Sequence, residues 1–301
     1  MRFDEFGKRD DVVVVATDLT VDPPHVRDVK NVPSRKTDVS DAAWLADLEA
    51  HGLLRSSLVP PPPIRRLRDL TRARTALTRD QSRQVQRIEK VLEDKGIKLS
   101  SVASDIVGVS GRLMLQALID GQNNPTVIAE LAQRRLRAKI PVLTEALNGR
   151  FTAHHGFLIS MHLKLIDEYN QALGELDDKI TEAMAPLAAA RELLISLPGF
   201  SRIVAEVFLA ETGGDMSVFP TAAHLASWAG TAPGCNEAAG RVKSTKTRPG
   251  NRYLKGALGV AAMAASRSKG TYFSAKYRRI ASRRGPMKAL VAVERSMLIA
   301  A

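Results

Sequence analysis

Four consecutive prolines, Pro60 to Pro63, constrain the possible folds of this chain more than any other feature of its sequence. A proline ring fixes φ and removes a backbone donor, so four in a row fit neither the interior of a helix nor a central strand. The run therefore predicts a boundary, with one structural unit in residues 1–63 and another that begins at Ile64.

Two long amphipathic helical patterns follow the proline run. The first begins at Ile64 and continues for about 30 residues, and the second runs from about Phe157 to Leu197. Each has a narrow apolar seam, which is typical of helices that pair as an antiparallel hairpin or coiled coil and that can dimerise. Residues 100–150, between them, are interpreted as a small helical insert. We therefore expect a helical region over residues 64–190.

The segment before the prolines has a different character. Val12 to Val15 form a β-branched run that is typical of a buried strand. Thr37 is a suitable cap for a helix over residues 38–51. With the helical patterns that follow, the predicted fold class is mainly α with a small α/β part.

Positive charge is concentrated in the last third of the chain. The net charge is +12, from 44 Lys and Arg against 32 Asp and Glu, which indicates a polyanionic partner such as nucleic acid. Residues 241–288 contain 14 basic residues and no acidic one, whereas a solvated face normally mixes both signs. We predict a phosphate-contacting surface there; the alternative is a basic face that only confers solubility. The candidate contacts are Arg241, Lys243, Lys246, Arg248, Asn251, Arg252 and Lys255.

A Leu-Pro-Gly turn at residues 197–199 precedes another apolar helical pattern. Backbone N–H groups at the start of a helix can hold a phosphate oxygen. The element resembles a helix-hairpin-helix, which is a sequence-independent DNA contact, and its candidate contacts are Gly199, Ser201 and Arg202. A plain connection between two packed helices explains the motif equally well.

Two carboxylates near the amino terminus form the candidate metal site. Asp38 and Asp41 lie three residues apart, so on a helix both project from one face. Oxygen ligands in this arrangement can bind Mg²⁺, although solvated charge is the alternative and two carboxylates alone are an incomplete two-metal site. Zinc is not indicated at His154, His155 and His162, because adjacent histidines point to different sides of a helix and no cysteine or carboxylate accompanies them.

Other features indicate a reducing compartment. The single cysteine excludes an intrachain disulfide. No apolar run approaches the roughly 18 residues of a membrane span, and the charged start has no signal-peptide core. We therefore expect a cytoplasmic protein with no membrane contact.

A series of short motifs occurs along the chain in a fixed order. They are Asn31 to Ala42, Val59 to Arg72, Leu197-Pro198-Gly199, Phe219-Pro220, Trp228-Ala229-Gly230, Pro233 to Glu237 and Arg248 to Leu254. Together they resemble the bacterial insertion-sequence one-ten (IS110) family of transposases. The resemblance covers about residues 24–301.

The resemblance implies an organisation and a chemistry. It implies a RuvC-like (RNase H-like) domain with an Asp-Glu-Asp-Asp set in residues 1–63, a coiled-coil region in 64–190 and a transposase domain with a nucleophilic serine in 191–301. Such proteins recombine DNA with Mg²⁺ and use a structured RNA of the element. Asp38 and Asp41 match the third and fourth acids of the set.

Two departures from the family pattern stand out. Only 37 residues precede Asp38, too few for the strands that carry the first two acids. We therefore expect a truncated RuvC-like remnant, with residues 1–22 unrelated or frameshifted. Where the family reads Asn-Glu-Ser-Ala-Gly, this chain has Ala238, so the expected nucleophile is missing; Ser244 is the alternative. The chain also stops within an apolar helical pattern.

These features together predict a transposase-family DNA recombinase whose copy here is catalytically defective. It is expected to bind DNA and the structured RNA, to hold Mg²⁺ weakly or not at all, and to form a homo-oligomer. The alternative is a non-catalytic nucleic-acid-binding or dimerising module that interferes with an intact transposase.

Overall fold

The computed structural model describes residues 13–14, 20–21, 44, 46–48, 50–51, 58–234, 236–238 and 240–301. The described part is mostly helical, which confirms the predicted mainly α class. Asp38 and Asp41 lie outside the described residues. Before the prolines, strands β1 (Val13–Val14) and β2 (Thr20–Val21) pair antiparallel, with Val13 opposite Val21.

The chain divides into two compact units. One consists of residues 69–185, and the other joins residues 1–68 with residues 186–301. The predicted boundaries, after residues 63 and 190, lie close to these divisions. The predicted three-part order differs in one respect, because the first and last segments of the chain belong to the same unit.

Helix α1, Pro62–Glu93, begins two residues before the start predicted at Ile64. Pro62 and Pro63 occupy its first turn, where a backbone N–H would have no acceptor within the helix, so the missing donor costs nothing. The amide of Arg65 donates to the carbonyl of Pro61 at 3.1 Å and closes this turn. The proline run therefore starts a helix as well as ending the segment before it.

Residues 69–185 contain the rest of α1 and a set of shorter helices that precede a second long one. The elements are α2 (Leu99–Val102), α3 (Val109–Ile119), α4 (Pro125–Ala129), a 3₁₀ segment (Arg134–Lys139), α5 (Ile140–Ala146) and α6 (Ala153–Met184). The insert predicted over residues 100–150 is therefore helical. Its apolar side chains, including Met114, Leu115 and Leu143, form one buried core together with Ile159 of α6.

The two long helices run antiparallel. Polar side chains pair between them at three levels, and the residue numbers rise on α1 as they fall on α6. The pairs are Arg74 with Asp177 at 2.8 Å, Gln81 with Asn170 at 2.6 Å, and Gln84 with His162 at 3.0 Å. Dimerisation through this hairpin remains a prediction.

The second long helix is shorter than predicted. The pattern from Phe157 to Leu197 suggested one helix, but α6 ends at Met184, a 3₁₀ turn covers Ala185–Leu187, and α7 (Ala188–Ile195) follows. The expectation of one continuous helix is therefore wrong. Pro186 is the cause, because it has no N–H to donate to the preceding turn.

Residues 186–301 continue with helices packed around α8 (Arg202–Thr212), which is almost completely buried. The other elements are a 3₁₀ turn (Met216–Val218), α9 (Ala222–Trp228), β3 (Asn236–Ala238), β4 (Arg241–Ser244), α10 (Arg252–Arg267), α11 (Tyr272–Arg284) and α12 (Pro286–Ala300). Small side chains on α10, among them Ala261, Ala262 and Ala265, are fully buried and permit close packing.

Candidate nucleic-acid interface

A β-hairpin carries the start of the basic segment. Strands β3 and β4 pair antiparallel, with Ala238 opposite Arg241 and Asn236 opposite Ser244. Pairing continues beyond the strands, since the amide of Gly234 donates to the carbonyl of Lys246 at 2.9 Å. The stem of the hairpin therefore brings the residues after Ser244 next to Gly234.

A cleft of about 580 Å³ lies at the base of this hairpin. It is lined by Gly234, Ser244, Lys246, Thr247, Arg248, Pro249 and Lys255. Three of the predicted phosphate contacts, Lys246, Arg248 and Lys255, thus meet in one place, and none of these lining residues is acidic. The arrangement suits an anion, because three cations and two hydroxyl side chains converge in a lining that contains no carboxylate.

Two short hydrogen bonds hold the lining in place. The Lys246 amide donates to Ser244 Oγ at 3.1 Å, and Lys255 Nζ donates to Thr247 Oγ1 at 2.9 Å. An ammonium has three donors, so Lys255 retains the capacity to bind an oxygen of a ligand.

Asn251 supports the cleft and does not line it. Its Oδ1 accepts from the amides of Tyr253 and Leu254 at 3.1 and 3.0 Å, so Asn251 is the N-cap of α10. Its Nδ2 donates to Oε2 of the buried Glu211 at 2.7 Å. Glu211 also pairs with Arg68 Nε at 3.3 Å. A buried ion pair therefore anchors the residue that follows the cleft loop.

Two motifs that are distant in the sequence meet beside the cleft. A Cβ at Gly250 would lie 2.3 Å from the backbone nitrogen of Gly230, so only glycine fits at this approach. The Asn251 amide also donates to the carbonyl of Trp228 at 3.3 Å. The Trp-Ala-Gly and Pro-Gly-Asn motifs are thus two sides of one contact.

The helix-hairpin-helix candidates lie in packed surroundings. A Cβ at Gly199 would lie 2.4 Å from the carbonyl oxygen of Ala261, so this turn is pressed against α10. Ser201 Oγ accepts from the Val204 amide at 3.3 Å as the cap of α8. Arg202 donates to buried Glu206 at 2.7 Å. Packing therefore accounts for this turn, and phosphate contact there remains a prediction.

The other predicted contacts are not part of the cleft lining. The guanidinium of Arg252 lies 5.0 Å from the centre of the Tyr253 ring, in a cation–π contact. Arg241 is exposed on β4. The side chain of Lys243 lies outside the described part of the structure.

Ala238 and Ser244 occupy different ends of the hairpin. Ser244 pairs with Asn236, which is two residues from Ala238 along β3, or about 7 Å at the usual rise per residue. Ser244 therefore does not lie opposite the position of the expected nucleophile. It lies instead at the cleft, where its Oγ accepts the Lys246 amide.

Glu294 was not identified from the sequence as a candidate. It is the one acidic residue in positions 241–301, and it is buried on α12 with its Oε1 3.5 Å from where a Cβ of Gly259 would lie. Its Oε2 is buried without a hydrogen-bond partner among the described residues. Burial raises the pKa of Glu294, and the charge of Lys255 offsets this in part. A lone acid within an apolar helical pattern was the available signal.

The histidines take structural positions. Burial, with the charge of Arg87, lowers the pKa of His162, whose Nδ1 lies 3.0 Å from Gln84 Oε1. His155 and Thr152 form the capping box of α6. Within the described residues, no three His, Cys, Asp or Glu side chains are grouped closely enough to hold a metal ion. No helix of the described part is long and apolar enough to cross a membrane.

Comparisons with known proteins show which family the chain resembles. Residues 191–278 match a family model described as transposase IS116/IS110/IS902 family, and residues 13–96 match a second model described as a transposase. A 42 kDa protein of insertion element IS900 from Mycobacterium paratuberculosis is 30% identical over 241 residues, covering 72% of this chain and 57% of that protein. A 43.6 kDa protein of insertion element IS110 from Streptomyces coelicolor is 30% identical over 256 residues, covering 76% and 60%.

The matches define the chain as a transposase-type protein. It belongs to the IS110/IS116/IS902 family of transposases. The chain spans 57% and 60% of the lengths of the two relatives. The second family match begins at residue 13, so the expectation that residues 1–22 are unrelated to the family is wrong for residues 13–22.

Proposed function

We propose that this protein binds nucleic acid through the basic cleft and takes part in the transposition of an insertion element. The observation that carries the proposal is the convergence of Lys246, Arg248 and Lys255 in one cleft without an acidic lining residue. Contacts of this kind neutralise backbone phosphates and release counterions. Since they carry no sequence information, the same cleft serves DNA and a structured RNA of the element.

The catalytic state of this copy is the second part of the proposal. An alanine has no oxygen that can attack phosphorus, so Ala238 in the position of the expected serine leaves the strand-transfer step without its nucleophile. Asp38 and Asp41 would hold Mg²⁺ weakly as a pair. Binding then persists while cleavage and rejoining are lost. This favours a second candidate function, in which the chain acts as a non-catalytic module that pairs through its long helices and interferes with an intact transposase in the cytoplasm.

The binding proposal is tested by neutralising two cleft residues. Lys246→Gln with Arg248→Gln should flatten the slope of log affinity against log salt by roughly 2 for duplex DNA. The matched control is Lys269→Gln with Arg279→Gln, which removes the same charges from exposed positions of the same basic stretch outside the cleft. An equal decrease of the salt slope in both pairs of variants would show that the whole basic surface, and not the cleft, binds the phosphates.

The catalytic proposal is tested by trapping covalent adducts. The unmodified chain should give no denaturation-resistant protein–DNA adduct and no Mg²⁺-dependent nicking of supercoiled plasmid. An adduct that maps to Ser244 and disappears in Ser244→Ala would contradict the assignment of the nucleophile to position 238. Nicking that Asp38→Ala abolishes would contradict the proposed weakness of the metal site.

A further inference from the structure

A second basic cavity lies in residues 69–185, in the unit that does not carry the cleft. Its volume is about 380 Å³. One wall is formed by residues 102–105 and 108–110, from the end of α2 to the start of α3, and the other by residues 133–136 and Lys139 of the 3₁₀ segment and the residue before it. The positively charged side chains among its lining residues are Arg134, Arg135 and Lys139.

Hydrogen bonds between the two walls form this cavity in advance of any ligand. The Gln133 amide donates to Ser110 Oγ at 3.0 Å, and Lys139 Nζ donates to the Val102 carbonyl at 3.1 Å. The one carboxylate in the lining, Asp105, accepts from the amides of Val107 and Gly108 at 3.0 and 2.9 Å. Both amides bond to Oδ1, so the loop holds Asp105 in place, and its single negative charge is outnumbered by the three cations of the lining.

The basic side chains stand out from the rest of their unit. Residues 69–185 contain 16 basic and 15 acidic residues, whereas the six-residue segment from Arg134 to Lys139 contains four basic residues and no acid. Both arginines of the cavity are exposed, and neither has an acidic partner among the described residues. An electropositive concavity within a balanced unit is a local feature, which a general excess of charge does not explain.

The backbone holds one of these arginines in an unusual conformation. Arg134 has φ 51°, the one positive value at a non-glycine residue in the described part of the chain. This left-handed region is unfavourable for a side chain without a local hydrogen bond to the backbone. Glycine adopts this conformation without strain, which offsets its larger loss of backbone entropy, so Arg134→Gly is a suitable way to remove this charge.

We propose that this cavity binds a phosphate group and is a second phosphate site, independent of the cleft in residues 186–301. Guanidinium groups bind phosphate oxygens in a bidentate manner, and Lys139 adds a point charge. A polynucleotide backbone and a free phosphate compound present the same chemistry, and the test separates them. Exposed Arg137, on the same 3₁₀ segment, lies outside the cavity lining and has Glu130 3.5 Å away.

The test uses the full chain carrying Lys246→Gln and Arg248→Gln, so that the cleft contributes little. In this background, Arg134→Gly with Arg135→Gln should lower the salt slope of binding to a labelled single-stranded oligonucleotide by roughly 1.4, or 0.7 for each lost contact. Arg137→Gln, which removes one charge outside the lining, is the control and should leave the slope within about 0.3, against about 0.7 for each cavity contact. The charge-conserving pair Arg134→Lys with Arg135→Lys should retain the parent slope.

A parallel measurement identifies the source of the phosphate. The shift in unfolding temperature is measured with an oligonucleotide and with pyrophosphate at equal phosphate concentration. Only the part of each shift that the Arg134→Gly, Arg135→Gln pair abolishes is attributed to the cavity. A shift with the oligonucleotide alone identifies a polynucleotide backbone; a shift with both identifies a site open to free phosphate compounds. Equal slope losses in Arg137→Gln and in the cavity pair would overturn the proposal, as would a cavity pair that folds and binds like its parent. Both results are independent of whether the cleft binds DNA.

Discussion

Acidic side chains lie in different places in the two units. Residues 186–301 hold 17 basic and 6 acidic residues, and three of the acids, Glu206, Glu211 and Glu294, are buried. Residues 69–185 hold 16 basic and 15 acidic residues, and acids such as Asp167 and Asp177 lie on the surface in pairs with arginines. Half of the acids in residues 186–301 are therefore shielded from solvent, whereas Asp167 and Asp177 of residues 69–185 are accessible to it.

This difference shows how one chain can form two kinds of surface. The buried Glu206 and Glu211 are used in ion pairs with arginines, and residues 241–288 contain no acid to balance their 14 basic residues, so positive charge is concentrated there. The cost is that each buried acid needs a partner or a raised pKa. Glu206 and Glu211 have arginine partners, and Glu294 has a raised pKa. Replacing a buried acid in residues 186–301 should therefore change folding stability, whereas replacing an exposed acid in residues 69–185 should mainly change the surface charge.

The largest expected effect comes from breaking a buried pair. Glu211→Gln leaves Arg68 without its buried counterion and should lower the free energy of unfolding by about 3 kcal/mol. Asp167→Asn removes an exposed partner of Arg112 and should cost less than about 1 kcal/mol. Urea denaturation of both variants measures the contrast. Equal losses would mean that burial does not distinguish the carboxylates of the two units.

A smaller effect should appear at His162 as the pH falls. Its pKa is lowered in the folded state, so the unfolded chain takes up a proton first, near the ordinary value of 6.5. The stability that comes from keeping His162 neutral is fully present above pH 6.5. It is lost as the pH falls from there through the pKa of His162 in the folded state. His162→Gln should remove this acid dependence. Exposed His154→Gln, on the same helix, is the control; a parent chain whose stability is flat from pH 7 to 5 would refute the prediction.

An effect of similar size and opposite direction should appear at Glu294. Its folded pKa is raised, so the unfolded chain ionises first as the pH rises above the ordinary value of 4.5, and stability falls until the folded pKa is passed. Glu294→Gln should therefore stabilise the protein at pH 8 and have no such effect below pH 4.5. Thermal unfolding at both pH values measures the gain, with exposed Glu192→Gln as control. A gain that is the same at both pH values would exclude ionisation as the cause.

Local signals allowed much of the helical structure to be predicted from the sequence. Helix α10, Arg252–Arg267, can be located from local sequence, because its cap, Asn251, directly precedes it and its apolar spacing is regular. Pro186 is a helix-breaking residue, but the apolar spacing continues on both sides of it, so the sequence pattern predicted one uninterrupted helix.

The site was only partly predictable, because its geometry depends on contacts between distant residues. Charge alone identified Lys246, Arg248 and Lys255, but pairing of Gly234 with Lys246 is what gathers them into a cleft. Asn251 is a polar residue in the basic segment, which made it a candidate phosphate contact. In this structure it caps α10 and donates a hydrogen bond to the buried Glu211. Its link to Glu211 joins residues 40 positions apart, beyond the reach of any local pattern.

The uninterrupted course of helix α1 has a consequence for how a protease would cut the chain. Its backbone hydrogen bonds run through the division after residue 68, whereas the division after residue 185 falls at a 3₁₀ turn next to Pro186. Proteases cleave where a segment can open locally, and an interior helical turn opens far less readily than a helix end. Limited digestion should therefore nick the chain near residues 185–187 and spare residues 66–71. In a nicked chain, α1 would still join the two units covalently, and the connection near residue 186 would be cut.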